Sequence, residues 1–198
     1  ELVFGTIFTR GGDDLASTAI FVGGSDVAAG EALLAAVRKT FFGPMRVSVM
    51  LDSNGSNTTA VAAVTKIEQA LGDLRGKKAV ILAGTGPVGQ RSAGLLARSG
   101  VKVIITSRKP EQGDKARQFI SARFDVAVEA TTLNDPAALA QVIEGADILL
   151  NSGPAGVQMV PKSAWLKHDT LKIAVDLNAA PPLGIEGIEV GDAGVVRD

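Results

Sequence analysis

Three glycines spaced as Gly84-x-Gly86-x-x-Gly89 have the clearest chemical meaning in this sequence. They follow an apolar run at Lys78–Ala83 and precede a segment of helical periodicity, which is the context of a dinucleotide-binding loop. We expect the first glycine to allow a tight turn, the second to let the backbone approach a pyrophosphate, and the third to let helix and strand pack closely. A glycine turn without a ligand is the alternative. The predicted pyrophosphate contacts are Gly84, Thr85, Gly86, Pro87, Val88 and Gly89.

The end of the next predicted strand distinguishes between nucleotides. NAD sites usually carry Asp or Glu about 20 residues beyond the first glycine. Here the sequence at 106–109 is Thr-Ser-Arg-Lys, and no acidic residue occurs from 90 to 110. A hydroxyl and two cations suit a 2′-phosphate, and cations at a helix start are unfavourable without an anion. We predict that Ser107, Arg108 and Lys109 bind the 2′-phosphate of NADP; a solvated helix start is the alternative.

Two more loops with polar side chains follow predicted strand ends, one beginning at Asn151 and one at Asp176. In a doubly wound sheet the ligand lies beyond the carboxyl ends of the strands, so we expect both loops on the nicotinamide side. A turn without ligand contact is equally well supported for each loop. The predicted contacts are Asn151, Ser152, Gly153, Asp176 and Asn178.

A polar block from Asp52 to Thr59 combines one carboxylate, two amides and four hydroxyl side chains at the end of another predicted strand. Some of these side chains must cap the helix that follows, but the block is longer than capping needs. A planar heterocycle with amide and amine edges requires such mixed donors and acceptors. The block therefore predicts substrate contacts from Asp52, Asn54, Ser56, Asn57 and Thr58.

Proton-transfer groups are scarce, since the chain has no Cys, no Tyr and one His. The polar surroundings of His168 favour a surface position over a catalytic acid. Oxidising an alcohol requires a base, because a proton leaves with the hydride. Oxidising a methylene held between two nitrogens does not, because their lone pairs stabilise the cation that forms. These residues favour an enzyme that aligns a hydride donor with nicotinamide and excludes water.

The composition excludes several classes of partner. Of the 198 residues 46% are apolar, and the net charge is −1, so the chain has a core but no field that would attract nucleic acid or an anionic membrane. Its apolar runs are too short to span a bilayer. The missing cysteines and the single histidine exclude a thiolate or His-rich metal site, and they suit a reducing cytoplasm.

Short apolar runs alternate with helical periods, which predicts parallel sheets covered by helices. The predicted fold is therefore α/β, a doubly wound Rossmann domain at 73–198 and a smaller α/β substrate domain at 1–72, with a cleft between them. Asp26 is expected to cap the first helix. The predicted strands are Leu2–Thr9, Thr18–Val22, Arg46–Leu51, Lys78–Ala83, Val101–Thr106, Val126–Glu129, Ala146–Leu150 and Leu171–Val175.

Four segments, at Thr6–Gly12, Met50–Ala60, Leu82–Gly89 and Asn178–Ile185, closely resemble the bacterial NADP-dependent methylene-tetrahydromethanopterin dehydrogenase family. The resemblance implies oxidation of methylene-tetrahydromethanopterin, in some members also methylene-tetrahydrofolate, to the methenyl form. Hydride would pass to NADP within the one-carbon metabolism that handles formaldehyde in methylotrophs. It also implies a homo-oligomer, a trimer in the family.

Carried over residue by residue, the resemblance puts the polar block against the pterin, with Thr59 near the reacting carbon as the catalytic residue. The chain resembles about two thirds of a family member, and an active-site lysine of the family falls outside it. Two alternatives stay open. One is a shikimate-type dehydrogenase, which would use a Lys–Asp pair such as Lys66 and Asp52. The other is an NADP-sensing module without catalysis.

Overall fold

The computed structural model describes residues 1–166 and 168–197. Contacts divide the chain into two compact units, Glu1–Thr58 and Thr59–Asp198. The sequence instead puts the domain boundary after residue 72, and the domain limits 1–72 and 73–198 stay a prediction.

The first unit contains two helices and a two-stranded parallel sheet. Strands β1 and β2 pair with Phe21 opposite Met50. Asp26 accepts the Ala29 amide proton at 3.0 Å, which confirms it as the cap of α2. The elements are α1 (Leu2–Phe8), a 3₁₀ turn (Gly12–Ser17), β1 (Ala19–Val22), α2 (Val27–Thr40), β2 (Ser48–Leu51) and a 3₁₀ turn (Ser53–Gly55).

The prediction of a strand at Leu2–Thr9 is wrong, because these residues form α1. Only Ile7 of the helix is buried, and it packs with Leu15 and Val47. The hydroxyls of Thr6 and Thr9 each donate to the carbonyl four residues earlier, so they satisfy helical backbone acceptors. A short run of β-branched and apolar residues does not separate strand from helix by periodicity alone.

The second unit is a five-stranded parallel sheet in the order β5-β4-β3-β6-β7, with helices around it. Neighbouring β3 and β6 are the point where strand order reverses, as in a doubly wound fold. The predicted α/β Rossmann architecture is confirmed. The elements are α3 (Ser56–Leu71, which begins in the first unit), β3 (Lys78–Leu82), α4 (Pro87–Arg98), β4 (Lys102–Ser107), α5 (Pro110–Phe124), β5 (Glu129–Thr132), α6 (Leu139–Ile143), β6 (Ile148–Asn151), α7 (Lys162–Trp165) and β7 (Ile173–Asp176).

Strand β3 is the centre of the core. Ala79 and Ile81 belong to the cluster that includes residues of α3, α4 and α5, whereas Val80 and Leu82 belong to the cluster that includes residues of α6. All four residues are fully buried, as expected for a strand covered on both faces. This arrangement fixes the carboxyl end of β3, where the glycine loop begins.

Strand β5 begins at Glu129, where the predicted strand ends. Val126 and Val128 pack on the main core before pairing begins, and Glu129 is the first residue opposite β4, at Ile104. The apolar residues that suggested a strand therefore bury the approach to it. Within the described part of the chain, every helix is too short or too polar to cross a bilayer.

Candidate functional site

The glycine loop leaves β3 through an unusual backbone conformation at Ala83. Its φ is 52°, in the left-handed region that non-glycine residues rarely adopt. Thr106 Oγ1, on β4, accepts the Ala83 amide proton at 3.1 Å, and the Ala83 carbonyl accepts from Gly86 N at 3.3 Å. The tight turn that the sequence assigns to Gly84 thus depends on Ala83, and no signal in a single sequence marks that alanine.

Gly84 and Gly89 are required by the packing of the chain itself. A Cβ on Gly84 would lie 2.7 Å from Ile105 Cβ, and one on Gly89 would lie 2.8 Å from Gly84 Cα and 2.6 Å from Ser152 Oγ. Helix α4 therefore approaches the loop as closely as its backbone allows. This is the helix–strand role that the sequence predicts for Gly89.

Gly86 is different, because nothing in the described chain requires it to be glycine. Its φ of −75° and ψ of 165° suit any residue. A Cβ there would find only Ala83 O, at an ordinary 3.8 Å. The free space on this side of the backbone is where a ligand could make a close approach.

The first turn of α4 offers donors to an anion. Its N-cap, Gly86, supplies no side-chain acceptor, and Pro87 at the first helical position has no N–H. The amides of Val88 and Gly89 are the next two donors, at the positive end of the helix. Buried Arg91 donates to the Pro87 carbonyl at 3.1 Å and adds a cation to this turn. Sequence reasoning missed Arg91, because an arginine inside a helix usually indicates a solvated face.

The residues predicted to bind a 2′-phosphate lie together where β4 turns into α5. Ser107 is buried, and its hydroxyl donates to the Lys109 carbonyl at 2.8 Å and accepts from Lys109 N at 3.2 Å. Arg108 and Lys109 are exposed, and no described residue forms an ion pair with either. Ser107 therefore shapes the turn while the two cations face solvent. Their contact with a phosphate stays a prediction.

The polar side chains at the ends of β6 and β7 bond to one another. Asn151 is fully buried; its Nδ2 donates to Asp176 Oδ1 at 2.8 Å and its Oδ1 accepts from Gly153 N at 3.1 Å. Asp176 also accepts from Asn178 N (Oδ1, 3.0 Å) and from Ile185 N (Oδ2, 2.8 Å). These side chains hold two loops together, whether or not they also contact a nucleotide.

Ser152 and Gly153 also have structural roles in this region. Ser152 Oγ donates to the Leu82 carbonyl at 2.8 Å, which ties the loop after β6 to the end of β3. A Cβ on Gly153 would lie 2.3 Å from Met159 Sδ. The predicted nicotinamide-side contacts thus stand at the correct edge of the sheet, and their contact with a ligand stays a prediction.

The polar block satisfies much of its own hydrogen bonding. Asp52 Oδ1 accepts from Asn57 N at 2.9 Å and Thr58 N at 3.1 Å, and Oδ2 accepts from Thr58 Oγ1 at 2.6 Å. Asn57 Nδ2 donates to the Leu51 carbonyl at 2.6 Å, and buried Ser56 donates to the Ser53 carbonyl at 2.9 Å. These bonds include the helix capping that was the alternative to substrate binding, since Asp52 accepts two amide protons of the first turn of α3.

Exposure differs along the block. Asn54, which has a left-handed φ of 56°, and Thr58 are exposed, and Thr59 on α3 is half-buried. The substrate and catalytic roles predicted for these residues remain predictions.

His168, whose Nδ1 lies 3.3 Å from Thr170 Oγ1, is half-buried at the opposite edge of the sheet, just before β7. Among the residues that the structure describes, no three His, Cys, Asp or Glu side chains cluster as metal ligands would.

Two sequence families match separate parts of the chain. Residues 1–54 match the N-terminal domain of methylene-tetrahydromethanopterin dehydrogenase. Residues 80–170 match the NADP-binding domain of saccharopine dehydrogenase. The second match includes the glycine loop and the turn at 107–109.

Among individual proteins, two relatives are from Methylorubrum extorquens. The bifunctional protein MdtA is 51% identical over 97% of this chain and 67% of its own length. The NAD(P)-dependent methylenetetrahydromethanopterin dehydrogenase is 33% identical over 93% of this chain and 64% of its own length. The chain thus spans about two thirds of each. A solved structure of dipicolinate synthase from Bacillus halodurans is similar in fold, with a TM-score of 0.52 and 19% identity over 77% of this chain and 49% of its own.

Proposed function

We propose, from the premise that this chain belongs to the methylene-tetrahydromethanopterin dehydrogenase family, that it transfers hydride from a methylene-pterin to NADP. The product would be the methenyl form of the pterin. Because the chain spans about two thirds of its relatives, the activity is proposed for the protein that contains it.

The observation that carries the nucleotide part of this proposal is the open space beside Gly86. The chain's own backbone and packing tolerate a side chain there, since the nearest atom to a Cβ would be 3.8 Å away. Because neither the backbone conformation nor the packing requires glycine at position 86, we infer that a bound group requires it. The uncapped first turn of α4 favours a group with negative charge. The pyrophosphate of a dinucleotide fits both features.

The proposed preference for NADP over NAD rests on Arg108 and Lys109. Both cations stand at the start of α5, which has no side-chain cap, so the helix end and the side chains attract the same anion. The 2′-phosphate of NADP supplies that charge, whereas the ribose hydroxyl of NAD does not. NADP supplies the oxidised nicotinamide that accepts the hydride.

The pterin is proposed to bind the exposed part of the polar block. Asn54 offers an amide to solvent, and Thr58, whose hydroxyl donates to Asp52, still offers an acceptor; these suit the amide and amine edges of a pterin. Thr59 is the proposed neighbour of the reacting carbon. No protein base is needed, because the lone pairs of two flanking nitrogens stabilise the cation left by the hydride.

Asp52 argues against the shikimate-type alternative. Its two carboxylate oxygens accept three hydrogen bonds from the first turn of α3, so its geometry serves a helix cap. A proton-transfer partner for Lys66 would need a carboxylate directed at substrate.

A cytoplasmic location and homo-oligomeric assembly belong to the proposal as well. The family resemblance supports the assembly, and a sequence without cysteine suits the location. Size-exclusion chromatography with light scattering measures the assembly.

The test is a spectrophotometric assay of the intact protein with methylene-tetrahydromethanopterin or methylene-tetrahydrofolate, each with NADP and with NAD. We expect NADPH formation with a methylene-pterin, and a single-turnover rate that does not change with pH near neutrality. Binding of NADPH without turnover of either pterin would contradict the proposal and favour the sensing module. Turnover of a hydroxy acid that Asp52→Asn and Lys66→Met each abolish would favour the shikimate-type dehydrogenase.

A further inference from the structure

The Asp176 carboxylate is occupied by hydrogen-bond donors of the protein itself. Three N–H groups from three places converge on its carboxylate, namely Asn151 Nδ2, Asn178 N and Ile185 N, at 2.8 to 3.0 Å. Each comes from a segment at the carboxyl edge of β6 or β7. The carboxylate therefore joins the end of one strand to the loop after the next.

The same network continues to the turn after β6. Because Asn151 Nδ2 is bound to Asp176, its Oδ1 faces the other way and accepts from Gly153 N at 3.1 Å. Asn178 Oδ1 accepts from Gly156 N at 3.3 Å, and Gly184 O accepts from Met159 N at 2.8 Å. Asp176 thus fixes the amide orientation of Asn151 and, through it, the backbone at 151–156.

The position of this turn gives the network its function. The adenosine half of a dinucleotide lies over β3 and β4, where the glycine loop and the 107–109 turn stand, so the other half lies across the switch point, beyond β6 and β7. Resting on the proposed use of NADP, the geometry points to Asp176 as a positioning residue that, through Asn151, holds the 151–156 backbone for the nicotinamide half of the nucleotide.

Gly184 shows how tightly the network is built. A Cβ there would lie 1.7 Å from Asn151 Nδ2 and 2.9 Å from Asp176 Oδ1. The loop at 178–185 therefore closes directly over the Asn151–Asp176 pair and shields it. Asn151 is fully buried and Asp176 half-buried, and a hydrogen-bonded pair packed this closely keeps one orientation, which is what positioning of a ligand requires.

The variants follow from the donors and acceptors. In Asp176→Asn, one acceptor becomes an NH₂ group that must face either Ile185 N or the pair of donors Asn151 Nδ2 and Asn178 N. In Asn151→Asp, two carboxylates would stand where a 2.8 Å hydrogen bond was. The double swap, Asn151→Asp with Asp176→Asn, restores the hydrogen bond between the two side chains with its direction reversed and lets the new amide oxygen at position 176 accept from Ile185 N. It leaves Asn178 N without its acceptor, so the restoration is partial.

A matched control is available at the other edge of the same sheet. Asp147 precedes β6 and accepts from Lys78 N at 2.9 Å, so it also ties strands together with a carboxylate. Asp147→Asn makes the same chemical change far from the proposed nucleotide, at the amino ends of the strands. It should lower stability without a preference for either half of the ligand.

The experiment compares the intact protein's affinity for NADP with that for 2′,5′-ADP, which lacks the nicotinamide half, and records the emission of bound NADPH. We expect Asp176→Asn to weaken NADP by at least about fivefold and to shift NADPH emission, while 2′,5′-ADP changes by less than about twofold. Asn151→Asp should be worse, the double swap should recover part of the loss, and Asp147→Asn should leave both ligands unchanged.

Equal weakening of both ligands, or a double swap as poor as Asn151→Asp, would overturn the positioning role and leave a purely structural one. Unchanged NADP affinity and NADPH emission in Asp176→Asn would overturn it too. A failure of the NADP proposal itself gives another result, because the unmodified protein would then bind neither NADP nor 2′,5′-ADP. That result would overturn the inference as well.

Discussion

Helices α3 and α4 begin in the same way, directly after the carboxyl end of a parallel strand, yet their first turns are satisfied differently. In α3 the Asp52 carboxylate accepts the amide protons of Asn57 and Thr58. In α4 no side chain caps the first turn, and Gly86 leaves the space beside it open. A helix start that carries its own anion has little use for another, whereas one without an anion is available to a phosphate.

The difference also separates two kinds of polar sequence. The polar block is rich in side chains, and many of them bond to the block itself. The glycine loop has few side chains, and no side chain caps the amides of the helix turn that it leads into. The proposed nucleotide site is therefore marked by an uncapped helix turn, whereas the polar block is marked by its number of polar residues.

The most direct way to break the comparison is to fill the space at Gly86. We expect Gly86→Val to lower NADP affinity by at least about 100-fold, or about 2.7 kcal/mol, because the side chain would stand where the pyrophosphate lies. Calorimetric titration measures the affinity, and the melting temperature should stay near that of the unmodified protein. Gly89→Val is the contrast, since it clashes with Gly84 and should lower stability as well. Unchanged affinity in a folded Gly86→Val protein would contradict the assignment.

Helix α5 is a third case, because its first turn has no side-chain cap and two cations stand beside it. Replacing Arg108 and Lys109 together by alanine should weaken NADP by about 2–4 kcal/mol, since a doubly charged phosphate loses its partners. NAD binding should change little, so the ratio of the two affinities is the quantity to measure. Equal losses for NADP and NAD would show that the two cations act on the pyrophosphate or on the fold.

The cap of α3 gives a smaller effect, on stability. Asp52→Ala should lower the free energy of unfolding by about 1 kcal/mol, whereas Asp52→Asn should keep most of it, because an amide oxygen still accepts the two amide protons. Asp26→Ala, which removes the N-cap side chain directly before α2, is the comparison. Urea denaturation measures all three. If Asp52→Asn keeps stability but raises the KM for the pterin, the carboxylate also contacts substrate.

Asp147 should give the smallest effect, one that depends on pH. Burial raises the pKa of Asp147, but hydrogen bonds from the Lys78 amide and the Lys172 ammonium outweigh it and hold the pKa below its ordinary value of 3.8. A lowered pKa stabilises the fold above 3.8, and this contribution is lost as the pH falls through the pKa of the folded state. Urea titrations between pH 7 and pH 3 should therefore lose stability more steeply for the unmodified protein than for Asp147→Asn. Parallel curves would contradict the assignment.

Much of the fold could be predicted from the sequence because its signals are local. The alternation of glycine-bounded apolar runs with helical periods identifies the parallel sheet, and the spacing of Gly84, Gly86 and Gly89 identifies the loop. The family resemblance of the four quoted segments is confirmed by the relatives. The failure at Leu2–Thr9 has the same origin, since seven residues of apolar and β-branched type are too few to separate helix from strand.

The candidate site is harder to predict where distant residues meet. The positions of Asn151 and Asp176 at strand ends are visible in the sequence, but their bond to each other crosses 25 residues of chain. Side-chain partners at that distance are set by the register of β6 against β7, which pairs these two residues. Similarly, the use of Asp52 as a cap depends on how the turn at Ser53–Gly55 directs the chain, which no composition reveals.

The left-handed alanine at the end of β3 has a consequence for heat tolerance. A β-carbon in that conformation costs about 1–2 kcal/mol, which glycine would not incur. Glycine would in turn stabilise the unfolded chain by about 0.4–1 kcal/mol through its greater conformational entropy. The unit that holds the nucleotide is therefore less robust than its packing would allow. Ala83→Gly would make it slightly harder to melt without altering a single proposed ligand contact.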